Sequence, residues 1–267
     1  MLLREVGYAR PASLGEAIEL LAANDGARAL AGGQTLINVM KARAGSPDAL
    51  IDLNGLEELR GIDLAADGTL SIGAMTTYSE IVGSAEARAR PIIGEVCAQI
   101  ADVQVRNRGT IGGNLCTNDP TNHLPPLMAA LGATMTIAGA DGERTVTSAE
   151  FFLGVYLTAV VQGEVLTKIT VPAGRSDGFA AVTLGVDGTC IASAAASLNG
   201  RITVALGCVD AVPVVVEPAT ASPDDVRAAV EAADIDPPSD VHASSAYRAH
   251  LSQVLAVRAV NQAQGAA

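Results

Sequence analysis

The sequence predicts an α+β protein made of three consecutive blocks, and three observations carry that reading. Up to about residue 172, capped amphipathic stretches alternate with short β-prone runs. From about Gly174, four β-prone runs follow one another, several separated by Gly or Asn-Gly turns, as in an antiparallel meander. Two helical stretches then finish the chain, so sheet precedes helices in the last block. The 267 residues, 49% hydrophobic and 17% charged, supply ample material for a core and exclude disorder as the main state. The expected boundaries are 1–57, 58–172 and 173–267.

In the first block, Ser13 with Glu16 three residues on reads as a capping box for a helix over 13–23. Leu14, Ala17, Ile18 and Leu21 share its apolar face. Residues 28–31 read as a short buried strand that runs into Gly32-Gly33-Gln34-Thr35. A helix is expected over Leu36–Arg43, and a second strand over Ala49–Leu53, ended by Asn54-Gly55.

The second block opens with a strand at Thr69–Ala74. Thr76 or Thr77 is placed to cap a short helix at Tyr78–Val82, and a longer helix is expected over 85–101. A glycine-rich segment, 108–115, follows. After Asp119-Pro120 come a helix at His123–Leu131, a strand at Ala133–Ala138, a brief helix starting at Ser148, and a strand at Glu164–Val171 ended by Pro172. The third block has β-prone runs at Phe179–Val186, Ile191–Leu198, Ile202–Cys208 and Val212–Val216. Its helices are expected at Pro223–Ala232 and Ser244–Gln262, and the tail Gln264–Ala267 is expected to fray.

Charge narrows the function classes. Seventeen basic against 29 acidic residues give a formal net charge of −12, and Lys41 and Lys168 are the sole lysines. Such a chain repels nucleic acid and anionic membranes. Seven aromatics and no Trp are too few for a base-stacking platform. No apolar run reaches membrane-spanning length, and the opening MLLREVGYARP lacks the pattern of a signal peptide. None of Cys97, Cys116, Cys190 and Cys208 makes a C-x-x-C pair, so buried thiols in a reducing cytoplasm are expected rather than a cluster or zinc site. His123, His242 and His250 are too scattered for a metal site, and no G-x-S-x-G elbow is present.

Two segments hold the chemistry. Ala31-Gly32-Gly33-Gln34-Thr35 and Thr110-Ile111-Gly112-Gly113-Asn114 each join paired glycines to hydroxyl and amide side chains. Paired glycines let backbone N–H groups approach a ligand, and outward amides make an anion cradle that needs no lysine. Ordinary glycine turns are the bland alternative for each. Two such loops suit a diphosphate gripped from both sides. Neither is a P-loop, because the chain has no Gly-Lys, and neither has Rossmann spacing. Arg106 and Arg108 flank the second loop and read as phosphate-neutralising, partner-facing or solvated.

At these residues the chain resembles a known family. AGGQTLINVMKAR, LIDLNGL, SIGAMTTYSEI, VRNRGTIGGNL and EVLTKITVP, in this order, are similar to the FAD-binding medium subunit of the molybdenum hydroxylases, the xanthine dehydrogenase and carbon monoxide dehydrogenase group. The resemblance implies an FAD-binding region of two α+β subdomains (PCMH-type) followed by a C-terminal antiparallel sheet with helices. It implies that Leu30, Ala31, Gly32, Gly33, Gln34, Thr35, Leu36 and Ile37 wrap the FAD pyrophosphate and ribityl chain. Thr110, Ile111, Gly112, Gly113 and Asn114 would approach from the other side, with Ile100 as an apolar contact and Leu166 at an edge of the ring system. A family aspartate for the adenosine ribose falls on His123 here, and Asp119 is the nearby carboxylate able to share that role. Two further departures are Ala181, where some members carry a basic residue, and Thr189-Cys190, where an Asp-aromatic pair is common. Cys116 and Cys190 then read as either flavin neighbours or packing.

The resemblance further implies an oxidoreductase subunit without a catalytic base or metal of its own. A large partner would carry molybdopterin and a small partner two [2Fe–2S] clusters. Electrons would reach the FAD of this chain and pass to an external acceptor, in a cytoplasmic heterotrimer or dimer of heterotrimers. The substrate pocket would belong to the large partner, so CO, purines, N-heterocycles and aldehydes stay open. Two rival readings are a self-contained FAD oxidase or dehydrogenase, and a non-catalytic nucleotide-binding assembly subunit.

Overall fold

A computed structural model describes residues 3–185 and 188–265. In the first block, β1 (Gly7–Ala9), β2 (Ala27–Leu30) and β3 (Ala49–Asp52) form a parallel sheet of order β1-β3-β2. Helix α1 (Leu14–Ala22) starts where Ser13 accepts the Glu16 N–H, and it buries Ala17, Ile18 and Leu21. The Glu16 carboxylate takes the Ala12 N–H instead of that of Ser13, so the capping box is only half made. Helix α2 (Leu36–Lys41) links β2 to β3 and stops two residues short of the expected Arg43.

The second block is a five-stranded sheet of order β4-β5-β10-β6-β7. Its strands are β4 (Ile62–Leu64), β5 (Leu70–Gly73), β6 (Thr134–Gly139), β7 (Gly142–Thr147) and β10 (Val165–Val171), with β8 (Phe152–Gly154) and β9 (Leu157–Thr158) pairing separately. Helices α3 (Tyr78–Gly83), α4 (Pro91–Gln99), α5 (Val103–Arg106), α6 (Ile111–Thr117), α7 (Leu124–Ala130) and α8 (Ser148–Phe151) cover it. Thr77 and Glu80 complete a capping box at α3, and Thr147 and Glu150 do the same at α8.

Two expectations fail here for identifiable reasons. The single helix over 85–101 is instead a 3-10 turn at Glu86–Ala89 followed by α4, with Pro91 in its first turn. Proline offers no N–H and bars helical geometry to the residue before it, so Arg90 must break the run. The glycine-rich segment is also not a loop throughout. Thr110 caps α6, and Gly112 and Gly113 lie inside that helix. A Cβ on Gly112 would sit 2.6 Å from both the carbonyl oxygen and the Cβ of Ala74. Tertiary approach therefore decides that position against helix propensity.

The third block is the expected meander, order β11-β12-β13-β14, with all neighbours antiparallel. The strands are β11 (Asp177–Leu184), β12 (Thr189–Ser197), β13 (Thr203–Gly207) and β14 (Val214–Val216). The expected strand end at Val186, and Ala266–Ala267 of the tail, lie outside the described residues. Helices α9 (Pro223–Ala232) and α10 (Ser245–Ala263, capped by Ser244) follow. Ala194, Ala196, Val204 and Leu206 pack with α9 and α10, whereas Ala195 and Ala205 join the core that holds α7. Small residues fill this sheet because helices press on both faces. A Cβ on Gly178 would fall 2.0 Å from the Ala259 carbonyl oxygen, and one on Gly207 would fall 2.8 Å from Pro126.

One ion pair binds the second block to the third. Arg90 lies 2% exposed and meets Asp177 through Nε at 2.8 Å and Nη2 at 2.9 Å. It also donates to the Ser197 hydroxyl and the Pro172 carbonyl. Asn199 completes the set around Asp177.

Candidate functional site

The two glycine segments meet. A Cβ on Gly32 would lie 2.1 Å from the Arg108 carbonyl oxygen and 2.9 Å from the Gly109 Cα, so bare backbone must face bare backbone there. Gly33 takes φ +71°, a left-handed geometry that suits glycine, with Leu30 and Ile37 packed behind it. The entry to this loop is held by a chain of hydrogen bonds that the sequence did not disclose. The Tyr8 hydroxyl donates to Asp52 at 2.6 Å, Asn54 donates to Asp52, and Asn54 also donates to the Ala31 carbonyl at 2.8 Å. Burial pushes the Asp52 carboxyl up, but the bonds from Tyr8 and Asn54 outweigh it and hold the group below its ordinary value.

Beside the seam lies a cavity of about 500 Å3, within the size range of cofactor sites. Its wall includes Ala31–Leu36 from the first segment and Thr110 and Gly112–Asn114 from the second. Ala74, Met75 and Tyr78 floor it, and residues 156–166 close one side, Leu166 included. Arg28 is the one cation of the wall among the described residues.

The two segments contribute differently. Among the described residues, no acceptor pairs with the N–H groups of Gly33, Gln34 or Thr35, so this amide nest is free for an anion. In the second segment the amides are spent inside the fold. Ile111 donates to Thr76, Gly112 to Ala74, Gly113 to the Thr110 hydroxyl and Asn114 to the Thr110 carbonyl. Unpaired amides are therefore present in the first segment only, where two matched sets were expected. The second offers side chains instead. Asn114 Oδ1 is buried without a partner beside the cavity. A buried, unpaired acceptor costs free energy unless something fills its place, so the cavity wall is built for a hydrogen-bonding ligand.

Of the residues expected from sequence, the cavity wall holds Ala31, Gly32, Gly33, Gln34, Thr35, Leu36, Thr110, Gly112, Gly113, Asn114 and Leu166. Leu30 and Ile37 stand behind it, and Ile111 is wholly buried in the core. Ile100 ends α4, half-buried against the core, with its carbonyl taken by Arg106. Asp119 is not in the wall, but it accepts from the hydroxyl of Tyr156, which is. His123 is turned away toward the third sheet, its ring 5.2 Å from that of Phe179. Neither Arg106 nor Arg108 lines the cavity.

Sequence reading missed Arg28, Tyr78 and the 156–163 stretch. Tyr156 sits at φ +56°, its N–H bonded to the Asn118 carbonyl, while the Asn118 side chain donates to the Gly154 carbonyl. Only the SIGAMTTYSEI motif pointed toward Tyr78, and nothing local marked the others.

The model of the family "FAD binding domain in molybdopterin dehydrogenase" matches residues 4–174. The carbon monoxide dehydrogenase medium chain of Afipia carboxidovorans is 36% identical, with 97% of each chain covered. The medium chain of the same enzyme from Hydrogenophaga pseudoflava is 44% identical over 62% of this chain and 58% of its own. Among solved structures, a Cu,Mo-CO dehydrogenase chain superposes with TM-score 0.92 at 34% identity, covering 100% of both chains. A chain of quinoline 2-oxidoreductase from Pseudomonas putida 86 superposes with TM-score 0.90 at 34% identity, covering 100% of this chain and 99% of its own.

Proposed function

This chain belongs to the FAD-binding domain family of molybdopterin dehydrogenases, as an oxidoreductase subunit of the molybdenum hydroxylase group, and from that premise we propose how it holds and uses its cofactor. The observation that carries the proposal is the free amide nest at Gly33–Thr35 facing a cavity closed by the second glycine segment. The Gly33, Gln34 and Thr35 amides would hold the FAD diphosphate, with Arg28 supplying positive charge to a wall that has no lysine among the described residues. Thr110 and Asn114 would hold the cofactor from the opposite side, with Asn114 Oδ1 as the open acceptor there. Leu166 and Met75 give apolar contact to its rings. Leu30, Ile37 and Ile111 fix the shape of the wall from behind. Asp119 acts through Tyr156. Ile100 and His123, which do not line the wall, fall outside the proposed contacts.

When bound, FAD supplies the redox chemistry; the chain supplies position, a fixed field and exclusion of water. In the proposed assembly a large molybdopterin subunit oxidises the substrate. A small subunit with two [2Fe–2S] clusters passes the electrons to this chain, and an external acceptor takes them away. A cytoplasmic heterotrimer, single or doubled, is the proposed unit. Among the described residues no helix is long and apolar enough to cross a membrane, and no three His, Cys, Asp or Glu side chains are grouped to hold a metal.

The test is a spectrum and a reconstitution. The expected protein is yellow, releases its flavin on acid precipitation, and is reduced by substrate only with its partner chains present. Turnover by the lone chain with covalently retained flavin would favour the self-contained oxidase. A colourless chain that takes up a plain nucleotide would favour the assembly subunit.

A further inference from the structure

Residues 159–164 form a strap of the second block, and 160–164 of it line the cavity. Its shape is fixed from its own block. Arg144 on β7 donates to both carboxylate oxygens of Glu164, at 3.1 and 2.8 Å, and to the Ala159 carbonyl at 2.6 Å. The Val161 N–H donates to the Glu164 carboxylate at 3.0 Å, and the Glu164 N–H returns to the Val161 carbonyl at 3.1 Å. Gly163, at φ +81°, brings the strap against the last turn of α1, where an added Cβ would lie 3.1 Å from that of Ala22.

One side chain fastens this strap to the first block. Gln162 Nε2 donates to the carbonyls of Leu21 at 2.6 Å and Asn24 at 2.9 Å, at the C-terminal end of α1, where carbonyls lack partners within the helix. Gln162 Oε1 accepts from Arg28 Nη1 at 3.1 Å. Beside the cavity, and among the described residues, Gln162 alone carries hydrogen bonds from the second block to the first. The bond from the Leu14 N–H to Glu58 lies at the far end of α1. Arg28 spends the same Nη1 on the Asp25 and Ala27 carbonyls. Its Nε and Nη2 have no partner among the described residues, so they remain as charged donors in the cavity wall.

We propose that Gln162 is a positioning residue for the cofactor: it clasps the strap to the first block, holds Arg28 at the wall, and so sets how long the flavin dinucleotide stays bound. The inference rests on the reading of this cavity as the FAD site. The Gly32–Arg108 seam closes the two blocks by backbone packing, with no side chain able to release it. The Gln162 side is different. The residue is exposed, and its three bonds can break and re-form without disturbing a core. Leu21, Ala27 and Val165 stay packed in one cluster at this end of the cavity whether the clasp is made or not. Each such bond is weak alone in water, and together they hold the strap to α1 and restrain the Arg28 guanidinium.

The experiment follows flavin fluorescence to measure FAD association and dissociation rates on the full-length chain, with the thermal midpoint of each apoprotein recorded alongside. Gln162→Met keeps the side-chain length and removes all three bonds. The expected result is a dissociation rate raised about fivefold or more, with the association rate within about twofold of the unsubstituted chain. Arg28→Met should also speed dissociation. Adding Gln162→Met to it should then have a smaller effect than in the unsubstituted chain, because part of what Gln162 does passes through Arg28. Fully additive effects would overturn the proposal. So would a lowered midpoint with unchanged flavin rates, which would leave Gln162 as a cap of α1 and nothing more. The two levels separate cleanly. If the unsubstituted chain takes up no FAD, the cofactor reading falls and this inference with it. If it takes up FAD and Gln162→Met releases it at the same rate, this inference alone falls.

Discussion

Gly32→Ala tests whether the seam between the two glycine segments shapes the cofactor site. The added methyl would lie 2.1 Å from the Arg108 carbonyl oxygen and 2.8 Å from its carbonyl carbon. Real contacts of this kind need roughly 3.2 Å or more, and both atoms belong to backbone, so the segments must part by about 1 Å. Overpacking of this kind costs roughly 1–3 kcal/mol. If the cost falls on the closed, cofactor-competent form, FAD affinity drops about 5- to 150-fold. Gly83→Ala is the matched control, since a Cβ there meets nothing within 4 Å. Fluorescence titration of the apoprotein with FAD, with thermal midpoints measured alongside, reads both. Unchanged affinity and midpoint in Gly32→Ala would refute the packing argument. A loss of equal size in Gly83→Ala would show that the effect is not local.

Three further outcomes follow from the contacts described. Asn114→Asp places a carboxylate beside the proposed diphosphate site, and FAD titration should show affinity at least about tenfold weaker while circular dichroism is unchanged. Arg90→Leu leaves Asp177 buried with only Asn199 beside it, so urea unfolding followed by circular dichroism should show a loss of about 3–5 kcal/mol, and Arg90→Leu/Asp177→Leu should recover part of it. The Asp240 carboxyl is held at about 2, below its ordinary 3.8, by the Ala243 and His242 N–H groups and by Arg248. A carboxyl depressed on folding stabilises above its unfolded value and loses that contribution as pH falls through the folded one, so Asp240→Asn should flatten the fall in thermal midpoint between about pH 4 and pH 2.

Local rules carried some elements and failed at others in a consistent way. Helix α9 begins after Ser222 with Pro223 in its first turn, and α10 after Ser244, because cap chemistry is local and strong. The three-residue strands β1 and β4, and the largely exposed β7, escaped because an edge strand has too little alternation to show its period. Gly112 inside a helix and the break at Arg90 were decided by a neighbour and a proline rather than by the apolar pattern. At the site, the glycine pairs were legible as motifs, but which of them keeps free amides was not, since Thr76 and Ala74 accept from the second segment across the fold. Arg28 and Tyr156 reach the wall only through tertiary packing. His123 packs its ring 5.2 Å from that of Phe179, a neighbour 56 residues along the chain that no spacing rule connects to it.

A crystal structure of the chain with its flavin bound tests the account most directly. The account predicts electron density for the diphosphate within hydrogen-bond reach of the Gly33, Gln34 and Thr35 N–H groups, with the Asn114 side chain on the far side of the cofactor. Density for the diphosphate at another face of the molecule, or a cavity holding water while the flavin binds elsewhere, would contradict it.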